Sequence, residues 1–528
     1  MTAVAGAAPA EHGTSRSRTP ARIPTRIPAV TPADDRYPHL AGRGRNTRFA
    51  GRPQEIHLPT SAAEVAAVVQ AAVDGGRRLA VRSGGHCLEN LVDGPAVQSL
   101  VDLSALQEIR YDAAHRAFSV QAGAQLGPTY RALYLGWGAA LPAGTCPSVG
   151  LGGYVQGAGF GPMCRSHGLI VDHLYGIEVV TVDADRRART VLATRRPDDP
   201  HRELWWAHTG AGGGNFGVVT RYLFRSPDDA DFPRGLSAEA SALPRPPRSV
   251  LTVAVEWPWE GLGEADFSRI VRNHGAWHAH DEAAGDGGYD TLYSGLYLNQ
   301  RSVGQVVLTA QIDGSLPDAD QRLRAYVAAV GDGVRAPYRL RYQQLPWLDS
   351  VQRDVENRGA ATRSKSKGAY LRRPYDAEQI ATLWRHLSEP GYQGHTVALL
   401  FSYGRAVNRV APQATAAAQR DSILKAYLGT YWEDPREDEH HVARIREFYA
   451  QLYAATGGVP APDTATDGSY INYPDADLAD PRWNTSGTPW HALYFKDGYP
   501  RLQQVKRQWD PHDLFRHALS VRPPAPAE

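Results

Sequence analysis

Regularly spaced apolar residues predict a helix near the start of the chain. Ser61 and Glu64 have the spacing of a capping box, and Gly75 with Gly76 predicts the end of the helix. Between them, apolar residues recur at Val65, Val68, Val69, Ala72 and Val73. The apolar run at 79–81 then predicts a strand, so this region indicates an α/β unit.

The later patterns alternate between the two types of element. Runs of β-branched and apolar residues predict strands, and apolar residues three or four positions apart predict helices. The predicted strands are 97–103, 118–120, a hairpin of 177–182 and 190–192, then 306–312, 397–401 and the short strand 470–473. The predicted helices are 130–137, 267–278, 415–427 and 500–508.

Length and a change in composition predict more than one domain. A chain of 528 residues exceeds the ~250–300 residues at which a single core usually stops growing. Residues 225–248 are rich in Pro, Asp, Ser and Arg, which is typical of a domain boundary. The predicted organisation is a disordered leader at 1–35, a first part at 36–229, an inserted domain at 230–460 and a C-terminal segment at 461–528.

Charge and hydropathy limit the possible partners. Lys and Arg number 57 against 56 Asp and Glu, so no overall positive field favours nucleic acid. No apolar run reaches the ~18 residues that span a bilayer. The leader also has no apolar segment typical of a signal peptide. We therefore expect a cytoplasmic protein that binds neither nucleic acid nor membrane, and the sequence leaves its oligomeric state open.

Several common site motifs are absent or stand in the wrong context. The sequence contains no phosphate-binding P-loop, no G-x-S-x-G elbow and no H-E-x-x-H zinc motif. Gly212, Gly214 and Gly217 form one G-x-G-x-x-G, but the residues after it predict a strand instead of the helix that nicotinamide binding requires. Three neighbouring histidines are interpreted as surface residues and no metal site is predicted: His274, His278 and His280.

Two glycine-rich segments point to a ligand. In 82–86, paired glycines after a strand allow backbone N–H groups to form an anion-binding nest with a histidine at its edge. In 150–161, six of the twelve residues are glycine, yet the segment contains Val, Leu, Tyr and Phe and lacks the Ser and charge of a linker. We expect the backbone of both segments to approach a flat ligand closely.

Four separated motifs resemble those of the berberine-bridge-enzyme-like flavin oxidases. They are Arg-Ser-Gly-Gly-His at 82–86, Gly-Thr-Cys-Pro-Ser-Val-Gly-Leu-Gly-Gly at 144–153, Gly-Gly-Gly-Asn-Phe-Gly-Val at 212–218 and Tyr-Ile-Asn-Tyr-Pro-Asp at 470–475. Within the family the chain is most similar to bacterial hexose oxidases of antibiotic biosynthesis. The resemblance implies an α+β fold of the vanillyl-alcohol oxidase and para-cresol methylhydroxylase type: a two-part FAD-binding domain with an inserted substrate domain, in which helices back an antiparallel sheet.

The same resemblance implies an FAD that is attached by two covalent bonds. His86 matches the histidine bonded to the flavin 8α-methyl group, and Cys146 matches the cysteine bonded to carbon 6. Cys87 and Cys164 match no such position and are interpreted as structural. The other residues implied to bind FAD are Arg82, Ser83, Gly84, Gly85, Val149, Gly150, Gly152, Gly153, Gly157, Gly159, Gly217, Val219, Asn472 and Tyr473.

The resemblance also selects Tyr473 as the catalytic base. An alcohol gives a hydride to a flavin readily only while a base removes its hydroxyl proton. If 470–473 is a strand, Tyr470 and Asn472 face one side and Tyr473 faces the other. One tyrosine alone should then address the flavin.

Two positions depart from the family pattern. Tyr154 and Phe160 stand where close relatives have a histidine and a second active-site tyrosine, which puts a two-tyrosine mechanism in doubt. In the inserted domain, Lys365, Lys367 and Tyr370 resemble a segment that leads into the pocket sheet, although a solvated strand edge explains them equally well.

The expected activity is the oxidation of an alcohol by an FAD-dependent oxidase. The resemblance favours a sugar hydroxyl of a glycosylated natural product as the substrate and oxygen as the acceptor, with release of hydrogen peroxide. Oxidative cyclisation or desaturation of a non-sugar metabolite is a second interpretation. A non-catalytic flavin-binding protein is a third, because Tyr154 and Phe160 replace family residues.

Overall fold

The computed structural model describes residues 28–227, 242–285, 287–352 and 362–525. Its first sheet consists of β1 (Ala29–Val30), β2 (Glu55–His57), β3 (Leu79–Arg82) and β4 (Ser99–Asp102). The strand order is β1-β2-β4-β3, and β2 and β3 are both parallel to β4. Helix α1 (Tyr37–Ala41) lies between β1 and β2 in the chain, and α2 (Ala62–Asp74) lies between β2 and β3.

The second sheet is antiparallel and completes the first part of the molecule. Its strands are β5 (Ile109–Asp112), β6 (Ala117–Gln121), β7 (Leu174–Val182), β8 (Ala188–Thr194) and β9 (Val218–Phe224), in the order β5-β6-β9-β7-β8. The helices in this part are α3 (Leu126–Trp137), α4 (Leu151–Tyr154), α5 (Cys164–His167) and α6 (Arg202–Ala207). The buried apolar stripe of α2 shares one core with β7 and β9.

The third sheet has seven antiparallel strands in the order β13-β10-β12-β11-β15-β16-β14. These are β10 (Ser249–Pro258), β11 (Tyr293–Asn299), β12 (Gln305–Asp313), β13 (Arg339–Pro346), β14 (Arg363–Leu371), β15 (His395–Ser402) and β16 (Leu424–Trp432). Its helices are α7 (Glu264–Ala284), α8 (Ala319–Val330), α9 (Trp347–Gln352), α10 (Ala377–Leu387) and α11 (Asp438–Leu452).

The C-terminal segment returns to the first part of the molecule. It contains α12 (Trp490–Phe495) and α13 (Tyr499–Trp509). The ammonium group of Lys506 in α13 donates to the backbone carbonyl of Asn215 at 2.8 Å, and Arg501 pairs with Glu203 of α6 at 2.6 Å. No helix in the described ranges is long and apolar enough to cross a bilayer.

Most of the predicted elements are confirmed, with small shifts of their ends. The predicted helix at 130–137 begins earlier, at Leu126, and the strand that was predicted after Gly217 is β9. The predicted leader extends too far, because Ala29–Val30 already pairs with Ile56–His57. Residues 1–27 and the predicted domain boundary near 230 lie outside the described residues.

The helix predicted at 415–427 is wrong. Its alanines favour a helix, but this segment packs against the first part so closely that a Cβ on Gly210 would lie 2.3 Å from the backbone nitrogen of Ala417. From Leu424 onward the chain forms β16, which lies between β14 and β15. Pairing with two neighbouring strands therefore overrides the local helix propensity.

Two of the histidines that were interpreted as surface residues are buried. His274 and His278 lie on the inner face of α7 and are fully inaccessible, whereas His280 is exposed. Both buried rings contact the hydroxyl group of Ser294 through Nε2, at 3.4 and 3.1 Å. Among the described residues, no group of three or more His, Cys, Asp and Glu side chains is arranged to hold a metal ion.

We expect these buried histidines to make the protein less stable in acid. Burial lowers the pKa of His274 to about 3, so the folded protein leaves this ring neutral where the unfolded chain protonates it. The contribution of His274 to the free energy of unfolding is therefore fully present above about pH 6.5, the pKa of an unfolded histidine. It decreases by up to about 1.4 kcal/mol per pH unit as the pH falls toward the folded pKa.

His274→Asn should reduce this pH dependence, as measured by urea unfolding between pH 7.5 and 4.5. His280→Asn is the matched control on the same helix, because its side chain is exposed. The explanation fails if both variants lose stability with the same pH slope as the wild-type protein.

Candidate functional site

A cavity of about 860 Å³ lies between the glycine-rich segments of the first part and one face of the seven-stranded sheet. This volume is within the range of about 300–1,000 Å³ that is usual for ligand sites. The first part contributes residues from 78–88, 144–156 and 213–219, and the C-terminal segment contributes 470–474 and 515–517. The sheet contributes Thr252, Tyr293, Thr309, Gln311, Gln343, Phe401, Tyr427 and Tyr431, among others.

The two glycine-rich segments meet at Gly84 and Gly150. A Cβ on Gly84 would lie 2.3 Å from the backbone nitrogen of Gly150, and a Cβ on Gly150 would lie 2.2 Å from the nitrogen of Gly84. Gly85 has a φ of 76°, which strongly favours glycine. These positions hold the two backbones in direct contact with each other at the wall of the cavity.

The groups at this wall fit an anionic, flat ligand. Within the described part of the chain, the backbone N–H groups of Gly84, Gly85 and His86 have no hydrogen-bond acceptor. All three residues line the cavity, so these donors are available to phosphate or carbonyl oxygen of a ligand. Nη1 of Arg45, which also lines the cavity, is buried and has no hydrogen-bond partner among the described residues.

His86 and Cys146 lie close together although 60 residues of sequence separate them. Nε2 of His86 is 3.0 Å from the hydroxyl oxygen of Ser148, and the sulfur of Cys146 is 3.7 Å from the same oxygen. Burial, and then the charge of Arg45, lower the pKa of His86 to about 4. The ring is therefore neutral near pH 7 and has a nitrogen lone pair available.

The other two cysteines have their own partners. The thiol of Cys87 donates to the backbone carbonyl of Glu89, and that of Cys164 donates to the carbonyl of Pro142. Burial raises the pKa of both thiols to about 12. Both groups are therefore protonated and unreactive near neutral pH.

The guanidinium group of Arg82 supports the turn and is not free to hold a ligand. It is fully buried and binds the carboxylate of Asp102 at 3.0 Å and that of Asp93 at 3.4 Å. Asp102 also pairs with Arg43. The predicted role of Arg82 in cofactor binding is therefore limited to holding the backbone of the following residues in place.

Most of the residues predicted to bind the cofactor line the cavity, but Gly157 and Gly159 do not. A Cβ on Gly157 would lie 2.0 Å from the side-chain oxygen of Asn472, and one on Gly159 would lie 2.0 Å from the ring of Tyr154. These glycines make room for side chains rather than for a ligand. Those that do line the cavity are Arg82, Ser83, Gly84, Gly85, His86, Cys146, Val149, Gly150, Gly152, Gly153, Gly217, Val219, Asn472 and Tyr473.

Tyr154 ties the two ends of its own segment together. Its hydroxyl group accepts the N–H of Gly144 at 2.7 Å and donates to the carbonyl of Phe160 at 2.8 Å. Its backbone carbonyl accepts from the side-chain amide of Asn472 at 2.9 Å. The tyrosine that departs from the family pattern thus braces the cavity wall.

Residues 470–473 form a turn, and the predicted strand is wrong. The N–H of Tyr473 donates to the carbonyl of Tyr470 at 2.8 Å, and Pro474 and Asn472 are both typical of turns. As a result, Tyr470 and Tyr473 do not face opposite sides. Their rings are 4.9 Å apart and both line the cavity.

The two tyrosines differ in their surroundings. Tyr470 is buried, and its hydroxyl accepts from Asn472 at 3.0 Å and donates to the carbonyl of Ala158 at 3.4 Å. Burial, and then Tyr473, raise the pKa of Tyr470 well above 10. Tyr473 is only half-buried, and its ring packs against that of Tyr427 at 4.8 Å.

Beside the cavity wall, the seven-stranded sheet holds a buried lysine among aromatic rings, an arrangement that the sequence did not predict. Phe401 of β15, Lys425 of β16 and Tyr370 of β14 are directly paired and so share one face. Lys425 is fully buried, and its ammonium group lies 3.5 Å from the ring centroid of Tyr470 and 3.7 Å from that of Phe160. Burial lowers the pKa of Lys425 well below 10.5.

Lys365, Lys367 and Tyr370 belong to the sheet but not to the cavity wall. All three side chains are buried on β14, and none of them is among the described residues that line the cavity. Both lysines instead form ion pairs with carboxylates. The segment therefore belongs to the pocket sheet, as the resemblance implied, and the alternative of a solvated strand edge is wrong.

Comparisons with known proteins identify the family. A family profile described as "FAD binding domain" matches residues 53–187, and one described as "Berberine and berberine like" matches 469–522. The chain is 51% identical to aclacinomycin-N/aclacinomycin-A oxidase of Streptomyces galilaeus over 94% of its own length and 90% of that protein. It is 30% identical to hexose oxidase of Chondrus crispus over 83% and 84% of the two chains.

Solved structures agree with these similarities. The crystal structure of an aclacinomycin oxidoreductase superposes with a TM-score of 0.90 at 51% identity, covering 94% of this chain and 99% of the other. A glycopeptide hexose oxidase in complex with teicoplanin superposes with a TM-score of 0.89 at 44% identity, covering 94% and 98%. The predicted α+β fold and the FAD cofactor are thereby confirmed. The chain therefore belongs to the berberine-bridge-enzyme-like family and is an FAD-dependent oxidase.

Proposed function

We propose that this oxidase converts a sugar hydroxyl of a glycosylated natural product to a carbonyl group, on an FAD that is attached through both His86 and Cys146, with Tyr473 as the base. The observation that carries the proposal is the layout of one cavity. The attachment residues lie on its first-part wall, and Tyr473 and the aromatic face of the sheet complete it. Oxygen accepts the two electrons and becomes hydrogen peroxide.

Two features support attachment at both residues. His86 is neutral, because burial lowers its pKa to about 4, and a neutral imidazole is the form that can bond to carbon. Cys146 contacts the same Ser148 hydroxyl as His86, so both side chains can reach one edge of a single ring system. Cys87 and Cys164 donate their thiol protons to backbone carbonyls and offer no equivalent group.

Tyr473 is the group best placed to take the proton. FAD supplies the hydride acceptor when it is bound. The alcohol loses a proton as the hydride leaves, so a base must stand beside the hydroxyl group. Tyr473 is half-buried and lines the cavity, whereas Tyr470 is almost fully buried.

The shape of the substrate side suits a sugar that carries a larger group. Thr252, Gln311 and Gln343 form one row across β10, β12 and β13 on the face that lines the cavity, and Tyr293 continues this row on β11. Aromatic rings pack on sugar faces and amides bind hydroxyl groups. The named activities of the relatives, on aclacinomycin and on hexose, also support a glycoside.

Peroxide formation tests this proposal. The purified protein should release hydrogen peroxide with aclacinomycin A, teicoplanin or free hexoses as probes, and the product should have a new carbonyl group on the sugar. Peroxide produced from the sugar-free aglycones instead would favour cyclisation or desaturation. A flavin that no probe reduces would favour the non-catalytic alternative.

A further inference from the structure

Six charged side chains form a buried cluster beside the cavity. The carboxylates are Glu89, Asp475 and Asp477, and the cations are Lys365, Lys367 and Arg446. Apart from Arg446, each side chain is less than a tenth exposed. Three positive charges face three negative charges, so the cluster is balanced.

Five of these side chains lie in three separate segments of the chain, and Arg446 lies in α11. Lys365 binds Glu89 at 2.5 Å, Asp475 at 2.7 Å and Asp477 at 3.3 Å. Lys367 binds Asp475 at 2.7 Å and Asp477 at 2.9 Å. Glu89 belongs to the loop of His86, the two lysines belong to β14, and the aspartates follow the turn at 470–473.

Each segment also carries a residue of the proposed site. Glu89 lies three positions after His86, and Asp475 lies two positions after Tyr473. Gly368, directly after Lys367, provides the surface on which Tyr473 rests, since a Cβ there would lie 3.1 Å from the Tyr473 ring. The carboxylate of Glu89 also accepts the N–H of Ala476 at 3.4 Å.

We propose that Glu89 and Lys365 are positioning residues, which fix Tyr473 relative to the flavin-attachment loop through their ion pair and their contacts with 475–477. This inference rests on the proposed role of Tyr473 as the base. Buried ion pairs rarely add net stability over apolar residues of the same volume, because desolvation offsets their attraction. Their directional contacts, however, determine where the joined segments lie.

The states of these groups agree with a closed, fully paired cluster. Despite burial, the nearby Lys365 ammonium keeps the pKa of Glu89 below its usual value. The three carboxylates hold the pKa of Lys365 above 10.5 against the effect of burial. Removing one partner would leave its neighbour charged and unpaired, which is costly in a buried site.

The test compares three variants. Glu89→Gln keeps the shape of the side chain and breaks its ion pair with Lys365. Glu89→Gln combined with Lys365→Met also breaks the link but restores the charge balance. Asp281→Asn is the matched control, since Asp281 forms an equally buried pair with Arg165 that contacts neither 86–89 nor 470–477.

Two measurements are made on the holoenzyme: hydrogen exchange of residues 470–480, and anaerobic flavin reduction by aclacinomycin A. In both Glu89 variants we expect exchange to rise 10-fold or more and reduction to slow by about 10- to 100-fold at every pH, since small misplacements of a catalytic group have effects of this order. Asp281→Asn should lower the unfolding temperature without changing either value.

Recovery of both values in the double variant would overturn the proposal, because charge balance alone would then explain the effect. Unchanged exchange in Glu89→Gln would also overturn it, whether or not aclacinomycin A is oxidised. Failure of the base assignment is separate: it would appear as normal flavin reduction in Tyr473→Phe, and it would leave the exchange result in place.

Discussion

Tyr473→Phe should slow the reduction of the flavin by substrate about 10²- to 10⁴-fold, the usual cost of losing a general base. The phenylalanine keeps the ring that packs on Tyr427 and on Gly368 and removes only the hydroxyl group. The substrate proton then has no acceptor at that position. Anaerobic stopped-flow measurement with aclacinomycin A reports this step directly, and the amount of bound flavin should not change.

Tyr470→Phe is the control for this prediction. The ring of Tyr470 lies 4.9 Å from that of Tyr473 and lines the same cavity. The Tyr470 hydroxyl group is hydrogen-bonded to Asn472 and to the carbonyl of Ala158. We expect an effect below about 10-fold, from the loss of support for Asn472. A larger effect at Tyr470 than at Tyr473 would assign the base to Tyr470, which lies under the ammonium group of Lys425.

The turn at 470–473 explains why the local pattern wrongly placed Tyr470 and Tyr473 on opposite sides of a strand. Alternation of aromatic and polar residues occurs in strands and also in turns that are stabilised by contacts with distant segments of the chain. Here Asn472 binds the backbone of Tyr154, more than 300 residues away in sequence, and that contact favours the turn. A hydrogen bond between such distant residues cannot be predicted from a stretch of four residues.

The glycine-rich segments were predictable because the requirement for glycine is steric and shows in the composition of each segment. Gly84 and Gly150 are in backbone contact, and Gly85 has a left-handed conformation, so other residues are excluded. The same steric rule cannot tell a ligand from a side chain. Gly157 and Gly159 have equally little room, but Asn472 and Tyr154 fill it.

The residues on the sheet side of the cavity could not be predicted from the sequence, because only the fold brings them together. Thr252, Gln311 and Gln343 become neighbours through the register of three strands, and no spacing in the sequence brings them together. Lys425 fell in a stretch predicted as a helix, so its place among aromatic rings could not be anticipated. The segment of Lys365 and Lys367 resembles one that leads into the pocket sheet, but the carboxylates that pair with these lysines follow more than 100 residues later at Asp475 and Asp477.

Replacing both His86 and Cys146 by alanine should leave no flavin on the protein after acid precipitation, whereas either single replacement should leave a coloured pellet. Under the proposed double attachment, each single variant retains one of the two bonds to the ring, and one covalent bond is enough to survive denaturation. Cys87→Ala is the matched control, because the Cys87 thiol lies in the loop of His86 but donates a hydrogen bond to the carbonyl of Glu89. It should retain all of its flavin.

The single variants also separate the two attachments. A His86→Ala pellet without flavin would show that Cys146 forms no bond on its own, and a colourless Cys146→Ala pellet would show the same for His86. Release of all FAD from the wild-type protein would contradict attachment at either residue. Because His86 must be neutral to bond to carbon and burial lowers its pKa to about 4, attachment through His86 in the Cys146→Ala apoprotein should proceed at pH 6 as readily as at pH 8 and should slow only as the pH approaches 4.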